Sequence, residues 1–559
     1  SAVPVSKGDE STIIPATEES AGRTSRPEPH PLCDQLAYLA PSDDNKHEAY
    51  LALLTAWAES PYSHPLVRAV LTYVRSGALL SDLERERIIV RNADGSLGSG
   101  KLAGTDYAKC LVRWRMIPAP AEEKSESYRN PALFEKWASF YNDLRVGQPH
   151  GICQISGEED VLCQSHPKGT LSSAYGAKLI SANDSANFTY RGRFATPEAA
   201  VSVGYTASRM AHSALRWLAT NHGKQSGDRI FLCWNPEGKE TPGNLLYAFD
   251  AGEDKRDFVS YREELRKTLD GYGNKLRPQD DVVIAALEAA TTGRLSVTYY
   301  TEMKSADLLD RIEHWYDTCA WDGGKFNVPT PSFREIILCA FGKPSGNGLS
   351  LDKRDAKLAG KYFQKLLSCL TEGRSIPPDL VRALAARADT PQAFEAGPLA
   401  RIRHTACALI RKYRNDQAKR EEWKVTLDTE NRDRSYLFGR LLAVLEQAEA
   451  ATYGKEDRRE TNALRRLTRY TQQPMHTARA LYEKLNPYLN RLMRNKPGLY
   501  RQYRALFDQL FGLLDELEHT SLNEPLEDVY LLGYSSQRSA LFTKQEQNET
   551  NTDGGNTDE

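Results

Sequence analysis

Apolar positions at helical spacing alternate along this chain with short continuous apolar runs, and the changes between the two predict its elements. Tyr50, Leu51, Leu53, Leu54 and Trp57 share one helical face, and Pro65 opens a second helix carrying Leu66, Val67, Val70, Leu71 and Val74. A helical hairpin follows from that spacing. Ile88-Ile89-Val90 and the run from Cys110 to Met116 read as strands on either side of a glycine-rich loop at residues 94–104. Phe134, Trp137, Ala138 and Tyr141 follow Pro131 at helical spacing and read as a core face. A hairpin is predicted about Ser156-Gly157-Glu158-Glu159, and Pro197 is predicted to open a helix through Ala200, Val203, Ala207, Ala211 and Leu215. Residues 229–234 read as a buried strand.

From Asp257 onward helical spacing predominates, broken by a strand at residues 295–300 and resumed by Leu308, Leu309, Ile312 and Trp315. Asp280 and Asp281 read as a charge pair at a helix N-terminus. Pro331 starts a helix that Gly342 and Pro344 end, and Pro377-Pro378 starts another reaching Arg387. Beyond Gly397 a helix carries Ile402, Ala406, Leu409 and Ile410. A bundle pattern follows, with Leu441, Val444 and Leu445, then Leu464 and Leu467, then Leu506, Leu510, Leu513 and Leu517. Residues 6–31 are rich in Ser, Thr, Glu and Pro and read as mobile, as does the acidic, Asn- and Thr-rich stretch from Gln545. The predicted class is α+β. A flexible N-terminal segment (1–31) precedes a mixed α/β domain (32–255), a mainly helical middle region (256–424), a helical bundle (425–543) and a disordered acidic tail (544–559).

Composition excludes some classes. The chain has 559 residues, 40% hydrophobic and 26% charged. It is too long for one core, and no apolar run approaches the roughly 20 residues of a membrane span. No membrane partner is expected, and the polar first thirty residues lack a secretory core, so the expected compartment is the cytoplasm. Nine scattered cysteines suit reduced thiols. Cys153, Cys163 and His166 are the one cluster with metal-like chemistry, but a CxxC pair and a fourth ligand are lacking, so neither metal nor other cofactor is expected.

Charge changes the picture more. The whole chain balances 73 basic against 75 acidic residues, yet residues 401–505 hold 24 Lys and Arg against 12 Asp and Glu. Arginine-rich helices with that bias are the footprint of phosphate binding, solvated helix faces being the plainer alternative. Gly95 to Lys101 nearly spells a phosphate-cradling loop, but Leu102 stands where a hydroxyl is needed and no helix follows. A hairpin loop whose Lys101 touches a nucleic-acid backbone is the better reading. Its rival is a nucleotide-dependent nucleic-acid remodelling enzyme built on a degenerate phosphate loop. Elsewhere the sequence holds no GxSxG, HExxH or CxxC pair, and a non-enzyme is expected. Residues 175–194 mix glycines, amides, Tyr190, Arg191 and Arg193, which suits a loop that reads base edges or one that merely caps a sheet.

Residues 423–432 with 435–446, and residues 522–538, are long and specific motifs. Together with residues 176–183, the strand at 228–234 and the helix after Pro331, they resemble the large subunit of the type I-C CRISPR Cascade surveillance complex, over most of residues 33–542. The resemblance implies a non-catalytic subunit near the 5′ end of a guide RNA, beside the Cascade backbone and 5′-handle-binding subunits. It would recognise the PAM of a double-stranded DNA target, help open the duplex and recruit a helicase-nuclease in antiviral defence. On that footing Lys101, Lys178, Asn183, Tyr190, Arg191 and Arg193 are duplex-side candidates. Residues 425–542 resemble the small subunit, which this family also makes separately. Arg458, Arg459, Arg465, Arg466, Arg469, Arg501 and Arg504 would track the displaced strand there. Met475 would split the bundle, so a separate small subunit is expected to start at a non-AUG codon near Val425 or Leu427. Two departures stand out: Ala182 replaces an aromatic residue common in the family, and the family's first β-rich segment is expected to be missing before Ser1.

Overall fold

A computed structural model of the chain describes residues 12–23, 27–41, 45–117, 124–171, 174–182, 191–248, 258–322, 329–417, 422–454, 457, 459–518 and 521–553. The fold is α+β and divides into two compact units. One comprises Ser1–Trp217 with Ala289–Ser296, and the other Leu218–Glu288 with Val297–Glu559.

In the first unit the predicted helical hairpin forms from Lys46–Glu59 and Pro65–Arg75. His64 caps the second helix, its Nδ1 accepting from Leu66 N at 3.1 Å, and Pro65 occupies the first turn, where a missing N–H costs nothing. Helix Pro131–Leu144 closes this core, with Trp137 edge-on to Trp57 at 5.0 Å. Its buried face is Leu133, Trp137, Phe140 and Tyr141, whereas Phe134 is half-buried and Ala138 exposed.

Strands β1 (Cys33–Gln35), β2 (Lys101–Leu102), β3 (Thr105–Asp106) and β4 (Leu111–Arg113) make two antiparallel ribbons, β1 with β4 and β2 with β3. Ile88-Ile89-Val90 adopts no strand. Arg87 turns the backbone at a positive φ, and the Val90 carbonyl is spent on Gly98 N at 2.9 Å. Strands β5 (His150–Ile152) and β6 (Glu159–Val161) form the expected hairpin. The helix expected from Pro197 is interrupted. Pro197–Ala200 is a single turn, and the chain then extends so that Ser202 O and Val203 O accept from Gln154 N and Cys163 N at 2.7 and 2.9 Å. The hairpin's open backbone groups outbid helix continuation there, and the helix resumes as Tyr205–Asn221.

The N-terminal segment read as mobile is anchored over its described residues. Thr17 and Ser20 form a capping box on the turn Glu18–Gly22. Glu18 is buried and accepts from Gln164 N and Ser165 N at 3.2 and 3.3 Å, and Arg23 pairs with the fully buried Asp34 at 2.6 Å. Polar composition meant internal partners rather than solvent.

The second unit is built on a sheet with the order β10-β9-β8-β7, from β7 (Lys224–Ser226), β8 (Arg229–Trp234), β9 (Asp281–Thr291) and β10 (Arg294–Lys304). Strand β8, which the sequence groups with the N-terminal α/β residues, pairs antiparallel with β9, Cys233 opposite Ile284. Strand β9 corrects the sequence reading of Asp280-Asp281 as a helix start. Asp281 opens the strand, and Asp280 is a buried carboxylate held by Lys239 and Arg277 at 2.6 and 2.8 Å. A short ribbon of β11 (Lys343–Ser345) and β12 (Gly348–Ser350) follows helix Phe333–Phe341, which Ser332 caps.

Helix Arg434–Ala450 is the centre of this unit, buried at every position from Ser435 to Glu449. Helices Pro497–Asp515 and Tyr530–Asp553 pack on it, and Ala396–Gln417 packs in turn on Tyr530–Asp553. Its closest approach is to Tyr530–Asp553, where Gly439 faces the backbone of Tyr530 and Tyr534, and Gly533 that of Tyr436 and Arg440. Leu441, Val444, Leu445, Leu467 and Leu510 are core as predicted, while the buried face of Pro497–Asp515 is Tyr503, Phe507, Leu510 and Leu514. The last helix runs on to Asp553, past the end of its apolar period. The Lys, Gln and Glu that follow Phe542 are good helix formers, and no Gly or Pro intervenes before Gly554.

Candidate nucleic-acid interface

The basic excess of residues 401–505 separates into two populations. One is internal. On helix Ala396–Gln417, Arg401 Nε donates to Glu335 Oε1 at 2.7 Å, and Arg414 meets Glu527 and Asp528. Arg411 is 3% exposed and donates to the carbonyls of Asp317, Thr318 and Trp423 at 2.8, 2.9 and 2.5 Å and to Glu422 at 2.8 Å. Desolvation lowers its pKa, against the opposing pull of Glu422. Lys412 donates to Thr318 Oγ1 at 3.0 Å, Arg434 to the carbonyls of Ser521 and Glu524, and buried Arg440 to Gln537 Oε1 at 3.0 Å. These cations tie helices together and direct donors to groups of the protein itself.

The other population lies outside. Between residues 461 and 505 the sequence has ten Lys and Arg and one acidic residue, Glu483. Arg465, Arg469 and Arg501 are exposed, Arg466 is half-buried, and among the described residues none of the four has a carboxylate at ion-pairing distance. The sequence reading missed three more of the same kind, Arg479, Arg491 and Arg494, also exposed and without an ionic partner among the described residues. For Arg491 and Arg494 the signal was present in the sequence: helix Asn486–Asn495 buries Leu489 and Leu492 and turns its arginines away from them. Two predicted residues are partly engaged. Arg504 donates to the Tyr482 hydroxyl and lies 3.9 Å from Asp508, and Arg459 pairs with Asp457 at 3.1 Å. Arg458 lies outside the described residues.

In the first unit the glycine-rich loop is not a phosphate cradle. Lys101 opens β2, whose last residue Leu102 leads into a two-residue turn in which Ala103 and Gly104 both have positive φ, the geometry of a tight hairpin. A cradle needs a helix N-terminus at that point. The Lys101 side chain is exposed, 4.0 Å from Asp106, which Lys109 meets at 3.1 Å.

Lys178 is more constrained than a loop lysine. Its N donates to Gly293 O at 3.1 Å, its carbonyl accepts from Leu295 N at 2.9 Å, and its Nζ donates to Ser165 Oγ at 2.8 Å. Desolvation and then Lys168 lower its pKa. Nearby, His166 Nδ1 meets Ser208 Oγ at 2.9 Å with its pKa brought down to about 4 by burial, and burial raises the Cys163 thiol to about 12. Arg191 donates to Ala195 O at 3.0 Å, and exposed Arg193 lies 5.4 Å from the Phe194 ring centroid. Asn183 and Tyr190 lie outside the described residues. Among those described, no hydrogen bond or ion pair joins Lys101 to Lys178, Arg191 or Arg193.

No helix among the described residues is long and apolar enough to cross a membrane. Among curated proteins, none matches the chain. The family model for CRISPR-associated protein (Cas_Csd1) matches residues 3–542. With nearly its whole length covered by that match, the chain belongs to the CRISPR-associated protein (Cas_Csd1) family.

Proposed function

We propose that the chain is the large, DNA-recognition subunit of an RNA-guided type I-C effector complex in the cytoplasm, and that it binds strands rather than cutting them. The observation that carries this reading is the outward set Arg465, Arg469, Arg479, Arg491, Arg494 and Arg501, without an ionic partner among the described residues, in a segment (461–505) with one acidic residue in all. Cations without counter-charges on packed helices suit a polyanion whose sequence has been read elsewhere, by guide pairing. The bundle would hold the displaced strand. The exposed Lys101 and Arg193 of the first unit would touch the duplex beside the PAM, with Arg191 and Lys178 placed to shape that surface. Guide RNA, backbone and 5′-handle-binding subunits, separately made small subunits and a helicase-nuclease are the partners this assignment requires. The tight turn after Lys101 favours this reading over a nucleotide-driven enzyme.

The test is the salt dependence of single-stranded DNA binding by the full chain. Replacing Arg465, Arg469 and Arg501 together with Gln removes up to three phosphate contacts, each worth about 0.7 in the slope of log affinity against log salt. The slope should fall by about 2. An unchanged slope and affinity would refute the assignment.

A further inference from the structure

Two half-buried tyrosines stand among the outward cations of the bundle. Tyr453 closes the turn after helix Arg434–Ala450, and its hydroxyl donates to Glu449 Oε1 at 2.6 Å. Glu449 is itself buried and fixed by Asn462, whose N and Nδ2 donate to it at 2.9 Å each. The ring is therefore held at one end by a carboxylate that cannot move. The Arg459 guanidinium lies 4.2 Å from the ring centroid while its Nε pairs with Asp457, and its side chain remains 49% exposed. Tyr488, on helix Asn486–Asn495, meets Tyr453 at 6.5 Å and 64°, and Arg491 follows one turn later on the same helix, exposed. Lys496 ties the end of that helix to the same turn through Ala451 O at 3.0 Å.

Pure core packing would bury these rings, as it does Tyr470 and Tyr503 in the same bundle. Pure surface would leave them unfixed. Instead two aromatic rings and a guanidinium plane are grouped beside Arg491, which has no ionic partner among the described residues. A nucleobase offers the matching surface, a flat π-face carried on a phosphate chain, and stacking on a preset ring loses little side-chain entropy.

We propose that Tyr453, Arg459 and Tyr488 form a base-stacking site for single-stranded nucleic acid, taken without regard to sequence, with Arg491 meeting the adjoining phosphate. The site rests on the strand-holding assignment above and sharpens it: the bundle takes bases as well as backbone, and so discriminates single strands from duplex, whose base faces are hidden.

The experiment uses the full chain and three fluorescent probes of equal length: oligo(dT) of about 20 nucleotides, an abasic phosphodiester, and a duplex. The unmutated chain should bind oligo(dT) about fivefold or more tighter than the abasic strand. Tyr453→Leu and Tyr488→Leu should abolish that preference without changing the salt slope, and Tyr488→Phe should keep it. Equal binding of oligo(dT) and abasic strand by the unmutated chain overturns the stacking site, whether or not the leucine variants fold. If the Arg465, Arg469 and Arg501 variants still lower the slope in that case, the strand-holding assignment survives without the site. If neither arginine nor tyrosine variants change binding to any probe, both fall. Loss of duplex binding by Tyr488→Leu equal to its loss of oligo(dT) binding also overturns the site.

Discussion

The closest packing in the second unit makes a demand that a single methyl group tests. Helices Arg434–Ala450 and Tyr530–Asp553 meet through Gly439 and Gly533. A Cβ at Gly439 would sit 2.8 Å from both the Tyr530 carbonyl carbon and the Tyr534 nitrogen, and one at Gly533 would sit 2.9 Å from the Tyr436 carbonyl carbon. The carbonyl oxygens of Tyr530 and Tyr436 lie closer still, and all these obstacles are backbone, so no rotamer change relieves them and the helices must move apart by roughly 1 Å. Between them are buried Leu437, Phe438, Leu441, Leu531 and Leu532, whose contacts would loosen together. Overpacking of this kind costs about 1–3 kcal/mol, and a rigid backbone obstacle belongs at the top of that range. Against it stands the gain of about 1 kcal/mol in helix propensity for Gly→Ala. Gly439→Ala should therefore destabilise by about 2 kcal/mol net. Gly512 is the internal control. It lies in helix Pro497–Asp515 with nothing within 4 Å of the added carbon, so Gly512→Ala keeps only the propensity term and should stabilise by about 1 kcal/mol. Thermal denaturation followed by circular dichroism reads both. The two interface variants combined should cost less than the sum of the singles, because the first already opens the gap the second needs. If Gly439→Ala melts with or above the parent, the helices are not in the contact described and the reasoning fails.

Two further outcomes follow from the internal cations and one buried acid. Arg411→Met should leave the salt slope of DNA binding unchanged but cost about 3 kcal/mol or more in chemical denaturation, because three backbone carbonyls lose their donor; a lowered slope with intact stability would reverse its assignment. Asp280 has its pKa depressed to about 2, chiefly by the Lys239 hydrogen bond and also by Arg277. Its contribution is therefore present above the unfolded carboxylate pKa of about 3.9 and is lost as pH falls through the folded value. The melting-temperature gap between the parent and Asp280→Asn should close as pH drops from about 4 towards 2, and a gap constant across that window would rule the linkage out.

The helical hairpin at Lys46–Arg75, strand β8 and much of the bundle were legible because each follows one clean period. Strand β9 was not. Val282 to Leu287 is buried on both faces, so it shows no alternation, and its alanines favour helix on propensity alone. The break after Ala200 was hidden for another reason, since the competing partners are the backbone N–H groups of Gln154 and Cys163, just beyond β5 and β6 and far away in sequence. The anchoring of Glu18 likewise depends on Gln164 and Ser165. For the candidate interface, counting charge marked out a region but could not sort its cations into internal and outward ones. Arg440 lies between the apolar runs 436–438 and 441–445, which is the available sign of a buried cation, whereas Arg411 follows a continuous apolar run from Ala406 to Ile410 and is betrayed only by that run.

The sorting bears on what the outer arginines are for. A helix face that needs only solubility is best served by mixed charges, which give intramolecular pairs and little self-repulsion. The second unit uses such pairs freely elsewhere, as in Arg266 with Glu313 or Lys275 with Glu240. Over residues 461–505 it abandons that economy and accumulates like charge on consecutive helices, a configuration whose repulsion weakens the free fold. The inner arginines are used differently: they pin Ala396–Gln417 to residues 317–318 and 527–528, so their charge is matched within the fold while that of the outer set is not. Such repulsion is relieved when a polyanion binds, and on the proposed reading the half-buried tyrosines beside it supply the non-electrostatic contact that bare phosphate binding lacks.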